Sequence, residues 1–91
     1  MYSLKPTPYE VGLKIAQRHR TIRKKLKISQ KEMAERSGVS LGSLKRFERS
    51  GKISLESFLK LMHLLGRLND FDHVLKEKED SDDIEKLFTK K

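Results

Sequence analysis

The chain has 91 residues, no cysteine, and 21 Lys/Arg against 13 Asp/Glu, a net charge of +8 at pH 7. A chain this short builds one small domain, with room for a few helices but not for a large catalytic cavity. It can form neither disulfides nor thiolate zinc sites. No apolar run approaches the roughly 20 residues of a membrane span. The opening MYSLKPTPYE lacks the apolar core of a signal peptide. The expected setting is therefore cytoplasmic, with no membrane partner.

Both prolines precede Tyr9, and β-branched or aromatic residues form no alternating runs, so the chain reads as all-α. Residues 1–8 read as an N-terminal arm, 9–77 as the domain and 78–91 as a charged tail. Thr7 can cap a first helix with Pro8 in its first turn, where a missing N–H costs nothing. That helix should run to Lys25 or Leu26, with Val11, Ile15, His19, Ile22 and Leu26 inward. His19 is the polar member of this stripe. It reads as a partly buried histidine whose ring nitrogen finds a hydrogen-bond partner. The outer face carries Lys14, Arg18, Arg20, Lys24 and Lys25, a run that is ordinarily just solvated and alternatively lies along phosphates near the second helix.

Residues 29–51 hold the organising pattern. Ser29 with Glu32 has capping-box spacing, so a second helix starts at Gln30 with Met33 and Ala34 inward. Gly38 follows its last turn, where a left-handed residue is needed, and Val39 plugs the corner. Ser40 caps a third helix that turns Leu44 and Phe47 inward and ends at Gly51. Leu41, Gly42, Ser43, Lys45, Arg46 and Arg49 are left facing outward. Two short helices joined by a tight turn, with a basic face on the second, are the layout of a helix-turn-helix.

Ile53 is a further core plug. Ser54 caps a fourth helix, Leu55 to Leu65, on which Leu55, Phe58, Leu59, Met62 and Leu65 form a wide stripe broadened by Leu61 and Leu64. A fifth helix is expected from Asn69 or Asp70 to Lys76 or Glu77, with Leu68, Phe71, Val74 and Leu75 apolar and Asp70 and Asp72 favouring its N-terminal end. KEKEDSDD then reads as a polar linker. Ile84, Leu87 and Phe88 allow one short amphipathic segment, too short to be stable alone.

Charge follows this division. Residues 1–52 carry 14 Lys/Arg and 4 Asp/Glu, whereas residues 53–91 carry 7 and 9. A basic half that coincides with a helix-turn-helix points to a polyanion, double-stranded DNA above all. No glycine-rich phosphate loop, thiol or nucleophile–base arrangement is present, and the three histidines fall on three different helices without ligand spacing. No enzyme activity, cofactor or metal is expected.

The run SQKEMAERSGVSLGSLKRFERSG, within about Leu13 to Leu75, resembles the Xre, or phage lambda repressor-like, class of DNA-binding domains. The resemblance rests on Ser29-Gln30, Ala34, Gly38-Val39-Ser40, Leu44 and Phe47-Glu48-Arg49. It implies a compact five-helix domain that binds a DNA operator as a homodimer. It places Gln30 on a phosphate, where it also props the recognition helix, and Ser40, Leu41, Gly42, Ser43 and Arg46 at the groove; Ser29 and Lys45 are expected beside them. It also implies an ion pair between Arg23 and Glu48, although Arg23 alternatively reads as another phosphate contact. Many relatives place polar side chains where this chain has Leu41-Gly42, which leaves base reading mainly to Arg46, Ser43 and Lys45. The dimer contact is expected on Phe71, Val74 and Leu75.

The run ISLESFLKLMHLLGRLNDFDHVL is similar to HipB-like antitoxins, which implies a HipA-type kinase toxin as a possible partner. A stand-alone regulator, or a protein-interaction adaptor on the same fold, are the competing readings.

Overall fold

A computed structural model describes residues 5–77. Within them lie α1 (Pro8–Lys25), α2 (Gln30–Ser37), α3 (Leu41–Ser50), α4 (Leu55–Leu64) and a 3₁₀ turn (Leu68–Phe71), with no strand among the described residues. The expected tail segment at Ile84, Leu87 and Phe88 lies outside them.

Each of these four α-helices begins on a hydroxyl. The side chains of Thr7, Ser29, Ser40 and Ser54 each accept a backbone N–H three residues on, a contribution of about 1 kcal/mol per cap. The complete capping box is at Thr7, where Glu10 returns a bond to the Thr7 N–H at 3.0 Å. At Ser29 only half of the expected box forms. Glu32 offers its N–H to Ser29 but turns its carboxylate to Arg36, one turn along at 2.8 Å.

The core sits where α1, α3 and α4 converge over α2. Met33, Leu44 and Leu61 are wholly buried, and Val39 fills the turn between α2 and α3. Three edge-on ring contacts run through the core: His19 to Phe47 at 5.4 Å, Phe47 to Phe58 at 5.8 Å and Phe58 to Phe71 at 5.5 Å. Edge-to-face aromatic pairs at such separations are favourable beyond the area they bury.

The inward face of α1 is set differently from the apolar stripe. Val11 and Leu26 are exposed, at 41% and 54%, while Ala16 and Arg23 are buried. The reason is the close approach of α1 to the end of α3. A Cβ at Gly51 would stand 2.6 Å from the Gly12 carbonyl carbon and 2.8 Å from its oxygen. Two glycines therefore fix the crossing point, and α1 turns its small residues, Gly12 and Ala16, toward α3. Ile15 and Ile22 remain half-buried at the edge of this contact.

On α4 the central residue is Leu61, and Leu55 is 70% exposed because it sits in the first turn, beyond the edge of the core.

The expected fifth α-helix does not form. Residues 68–71 make a single 3₁₀ turn and the chain then runs through turns to Leu75, whose φ is +62°. A short helix needs tertiary packing to persist. Here only Phe71 finds it, against Phe58, whereas Val74 and Leu75 are exposed. Asp70 is held by Arg67 at 2.8 Å, an interaction within the turn itself.

Gly38 and Gly51 share a left-handed backbone, φ +82° and +79°, but only Gly51 is crowded. Gly38→Ala should cost about 1–2 kcal/mol, the usual strain of that conformation. Gly51→Ala should cost about 3 kcal/mol or more, because the methyl group also drives α1 away. Urea unfolding midpoints of the two variants measure the difference.

Candidate nucleic-acid interface

The second helix of the motif is held by one buried carboxylate. Glu48 lies on the inner side of α3 with its side chain 4% exposed. Arg23, from α1, grips it with two bonds, Nε to Oε2 and Nη2 to Oε1, both 2.9 Å. The third arm of the guanidinium, Nη1, donates to the Ile28 carbonyl at 2.9 Å, which pins the loop between α1 and α2. Gln30, the first residue of α2, donates Nε2 to Oε1 at 3.0 Å. His19 approaches Oε2 with Nδ1 at 2.8 Å.

An ionised carboxylate only accepts, so His19 Nδ1 carries the hydrogen of that bond. Nε2 is then the bare nitrogen, and it is buried with no hydrogen-bond partner. A second proton there would have no acceptor. Burial accordingly lowers the His19 pKa below its usual 6.5, outweighing the pull of Glu48. Burial pushes Glu48 up, but the bonds from Arg23, Gln30 and His19 prevail and leave it below its usual 4.5.

With Glu48, Leu44 and Phe47 turned inward, the opposite arc of α3 faces outward. Successive residues step about 100° around a helix, which centres that arc on Gly42, Arg46 and Arg49, with Lys45 on the α1 flank and Ser43 on the α4 flank. Lys45, Arg46 and Arg49 are all exposed and enter no ion pair among the described residues. A Cβ at Gly42 would meet nothing within 4 Å.

Ser40 and Ser43 are partly committed: the Ser43 N–H donates to Ser40 Oγ at 3.1 Å, and the two hydroxyls lie 2.9 Å apart. Leu41 departs most from its expected place. It is half-buried against the core and so offers outward only part of its side chain. Ser29, at the start of α2, is exposed.

Two polar hollows flank α3. One, of about 310 Å³, is lined by Arg20, Arg23, Gln30, Lys45, Glu48 and Arg49. The other, of about 270 Å³, lies toward α4 and is lined by Ser43, Arg46, Lys52, Ile53, Ser54 and Ser57. Sequence reading gave Arg20 only as one of the outer-face cations of α1, with a phosphate track as the alternative, and it assigned Lys52 no role, because the neighbours that line its hollow come from other elements. It left the partner of His19 open, although the four-residue step from His19 to Arg23 puts both on one face of α1.

Elsewhere, Phe71 is half-buried against the core, and Val74 and Leu75 are exposed. No cluster of three His, Asp or Glu side chains suited to a metal occurs among the described residues. No helix among them is long and apolar enough to cross a membrane.

A capped helix braced from behind, with an unpaired cationic face in front, defines a DNA-binding domain of the helix-turn-helix type. The helix-turn-helix family profile matches residues 20–69, more than half of the chain, and the chain belongs to that family, the Xre or lambda repressor-like class of DNA-binding transcriptional regulators. No curated protein and no solved structure matches the chain.

Both shifted groups act on stability in the same direction. A folded-state pKa below the unfolded value means that the unfolded chain takes up the proton first. Stability should therefore be full above about pH 6.5, decline as His19 titrates in the unfolded state, and decline again below about pH 4.5 as Glu48 does. His19→Gln, which retains an N–H for Glu48, should remove the first decline and keep the second. Urea midpoints taken across that range test it.

Proposed function

We propose that the protein is a sequence-specific repressor that binds a palindromic operator as a homodimer. The observation that carries this reading is the exposure of Lys45 and Arg46, unpaired, on a helix whose other face is wholly committed to the core. Recognition helix α3 enters the major groove. Arg46 forks onto a guanine, worth about 1–3 kcal/mol of discrimination, with Lys45 and Ser43 beside it. Ser40 lies at the mouth of the groove. Gly42 lets the backbone approach closely, and the outer part of Leu41 packs on a thymine methyl. Gln30 uses one N–H on Glu48 and has a second for a phosphate oxygen, next to the Ser29 hydroxyl and the first backbone N–H groups of α2.

Few base-reading groups per subunit favour a dimer, whose half-sites would lie roughly 34–36 Å apart. The dimer contact is assigned to Phe71, half-buried beside Phe58, together with exposed Val74 and Leu75. The resemblance of residues 53–75 to HipB-like antitoxins supports a finer reading, in which the repressor also binds a HipA-type kinase toxin.

Selection from random duplex should yield a palindrome whose affinity falls steeply with salt. Lys45→Ala with Arg46→Ala should abolish retention, and Arg46→Ala alone should relax the preference at one guanine by about 1–3 kcal/mol. Affinity indifferent to salt, or unchanged in the double variant, would refute the reading and favour a protein-interaction adaptor. Leu75→Asp should shift sedimentation from dimer to monomer without loss of helicity.

A further inference from the structure

One polar atom of the core is left unmatched. His19 donates through Nδ1 to Glu48 at 2.8 Å, so Nε2 is the acceptor nitrogen, and it is buried with no partner among the described residues. A buried acceptor without a donor is costly. The rest of the Glu48 cluster cannot supply one, because Arg23 and Gln30 direct their N–H groups to the carboxylate and to the Ile28 carbonyl.

His19 also lines a hollow that the interface above does not use. It lies between α1, α4 and the 3₁₀ turn, measures about 150 Å³, and has no residue of α3 in its lining. Glu48 lines the hollow on the other side and not this one, so the imidazole presents here the edge that Glu48 does not occupy. The walls are otherwise apolar, with Ile15 and Ile22 from α1, Phe58 and Met62 from α4, and Phe71. A cavity of about this size admits a single benzene-like ring.

The exposed side chains around the hollow are Arg18, Arg67 and Asp70. Arg67 is spent on Asp70 at 2.8 Å. Arg18 has no ion-pair or hydrogen-bond partner among the described residues. The hollow thus combines a bare acceptor within, room for one ring, and one uncommitted cation at its edge.

We propose that the hollow between α1, α4 and the 3₁₀ turn is a binding site for a small single-ring phenol that bears a carboxylate. The hydroxyl donates to His19 Nε2, the ring lies among Ile22, Phe58 and Phe71, and the carboxylate meets Arg18. The ring enters past the 3₁₀ turn, a single turn held by Phe71 on Phe58 and by the Arg67–Asp70 pair. This inference is separate from the DNA-binding reading, since no residue of the recognition helix takes part.

Calorimetry of the full chain with para-hydroxybenzoate, phenol and benzoate tests the site, together with the nitrogen resonances of His19 at neutral pH. Para-hydroxybenzoate should bind, and benzoate, which lacks the donor, should bind about tenfold more weakly. The Nε2 resonance should move with para-hydroxybenzoate and with phenol but not with benzoate. Arg18→Ala should weaken para-hydroxybenzoate about threefold and leave phenol unchanged, the share of an exposed ion pair. Ile22→Trp, which fills the hollow, should abolish binding of all three while circular dichroism still reports the parent's helicity.

Binding that is equal for benzoate and para-hydroxybenzoate, or that leaves the Nε2 resonance in place, would refute the site. So would an Arg18→Ala loss of the same size for phenol, or undiminished binding to a folded Ile22→Trp variant. If no probe binds and the Nε2 resonance is already that of a hydrogen-bonded nitrogen, the hollow holds a water only and the proposal fails.

Discussion

One carboxylate joins the parts of this domain. Glu48 accepts from Arg23 and His19 of α1 and from Gln30 of α2, so three helices meet on two oxygen atoms. The pair of charges is costly to bury, and such pairs are at best weak contributors to net stability. What the cluster provides is orientation. Arg23 uses all three arms of its guanidinium, two on Glu48 and one on the Ile28 carbonyl, and so ties the loop before α2 to the last turn of α3. Removing one partner would strand the other in a site nearly closed to water, at a cost of about 3–5 kcal/mol. Either loss would also free α3 to rock against α1.

That anchoring explains why the surface of α3 stays uncluttered. Its inward charge is satisfied from behind, so no outward cation is needed to balance it. Lys45, Arg46 and Arg49 remain unpaired as a result. The exposed pairs among the described residues, Glu32 with Arg36, Glu56 with Lys60, Arg67 with Asp70 and Asp72 with Lys76, are all steps of three or four residues within one segment. Exposed pairs of that kind contribute little to stability. They use acidic groups locally and leave the helix-turn-helix half with its excess of positive charge.

Much of this was legible in the sequence where the signal is local. A serine before an amphipathic stretch and a glycine after it mark helix ends through backbone chemistry alone, and α2, α3 and α4 start where Ser29, Ser40 and Ser54 indicate. The motif and its family followed from the same residues.

What sequence reading missed depends on how helices cross. Val11 and Leu26 look like core residues by hydropathy. The approach of Gly12 to Gly51, invisible to any periodicity, turns α1 so that Ala16 and Arg23 face inward instead. Leu68, Phe71, Val74 and Leu75 have helical spacing, but only Phe71 meets a partner, and the segment stops at one 3₁₀ turn. The half-burial of Leu41 against the core, and the gathering of Arg20 with Arg49 beside one hollow, likewise arise only from how the helices pack.

The residues that stabilise α3 and those that it presents outward form almost separate sets. Leu44, Phe47 and Glu48 hold it, whereas Gly42, Lys45 and Arg46 contribute nothing to the core. The three outward positions are therefore exchangeable cassettes on an unchanging chassis. A lineage carrying this scaffold can drift toward new target sites by altering a few codons without passing through an unstable ancestor. Leu41, lodged half inside, is where that freedom ends.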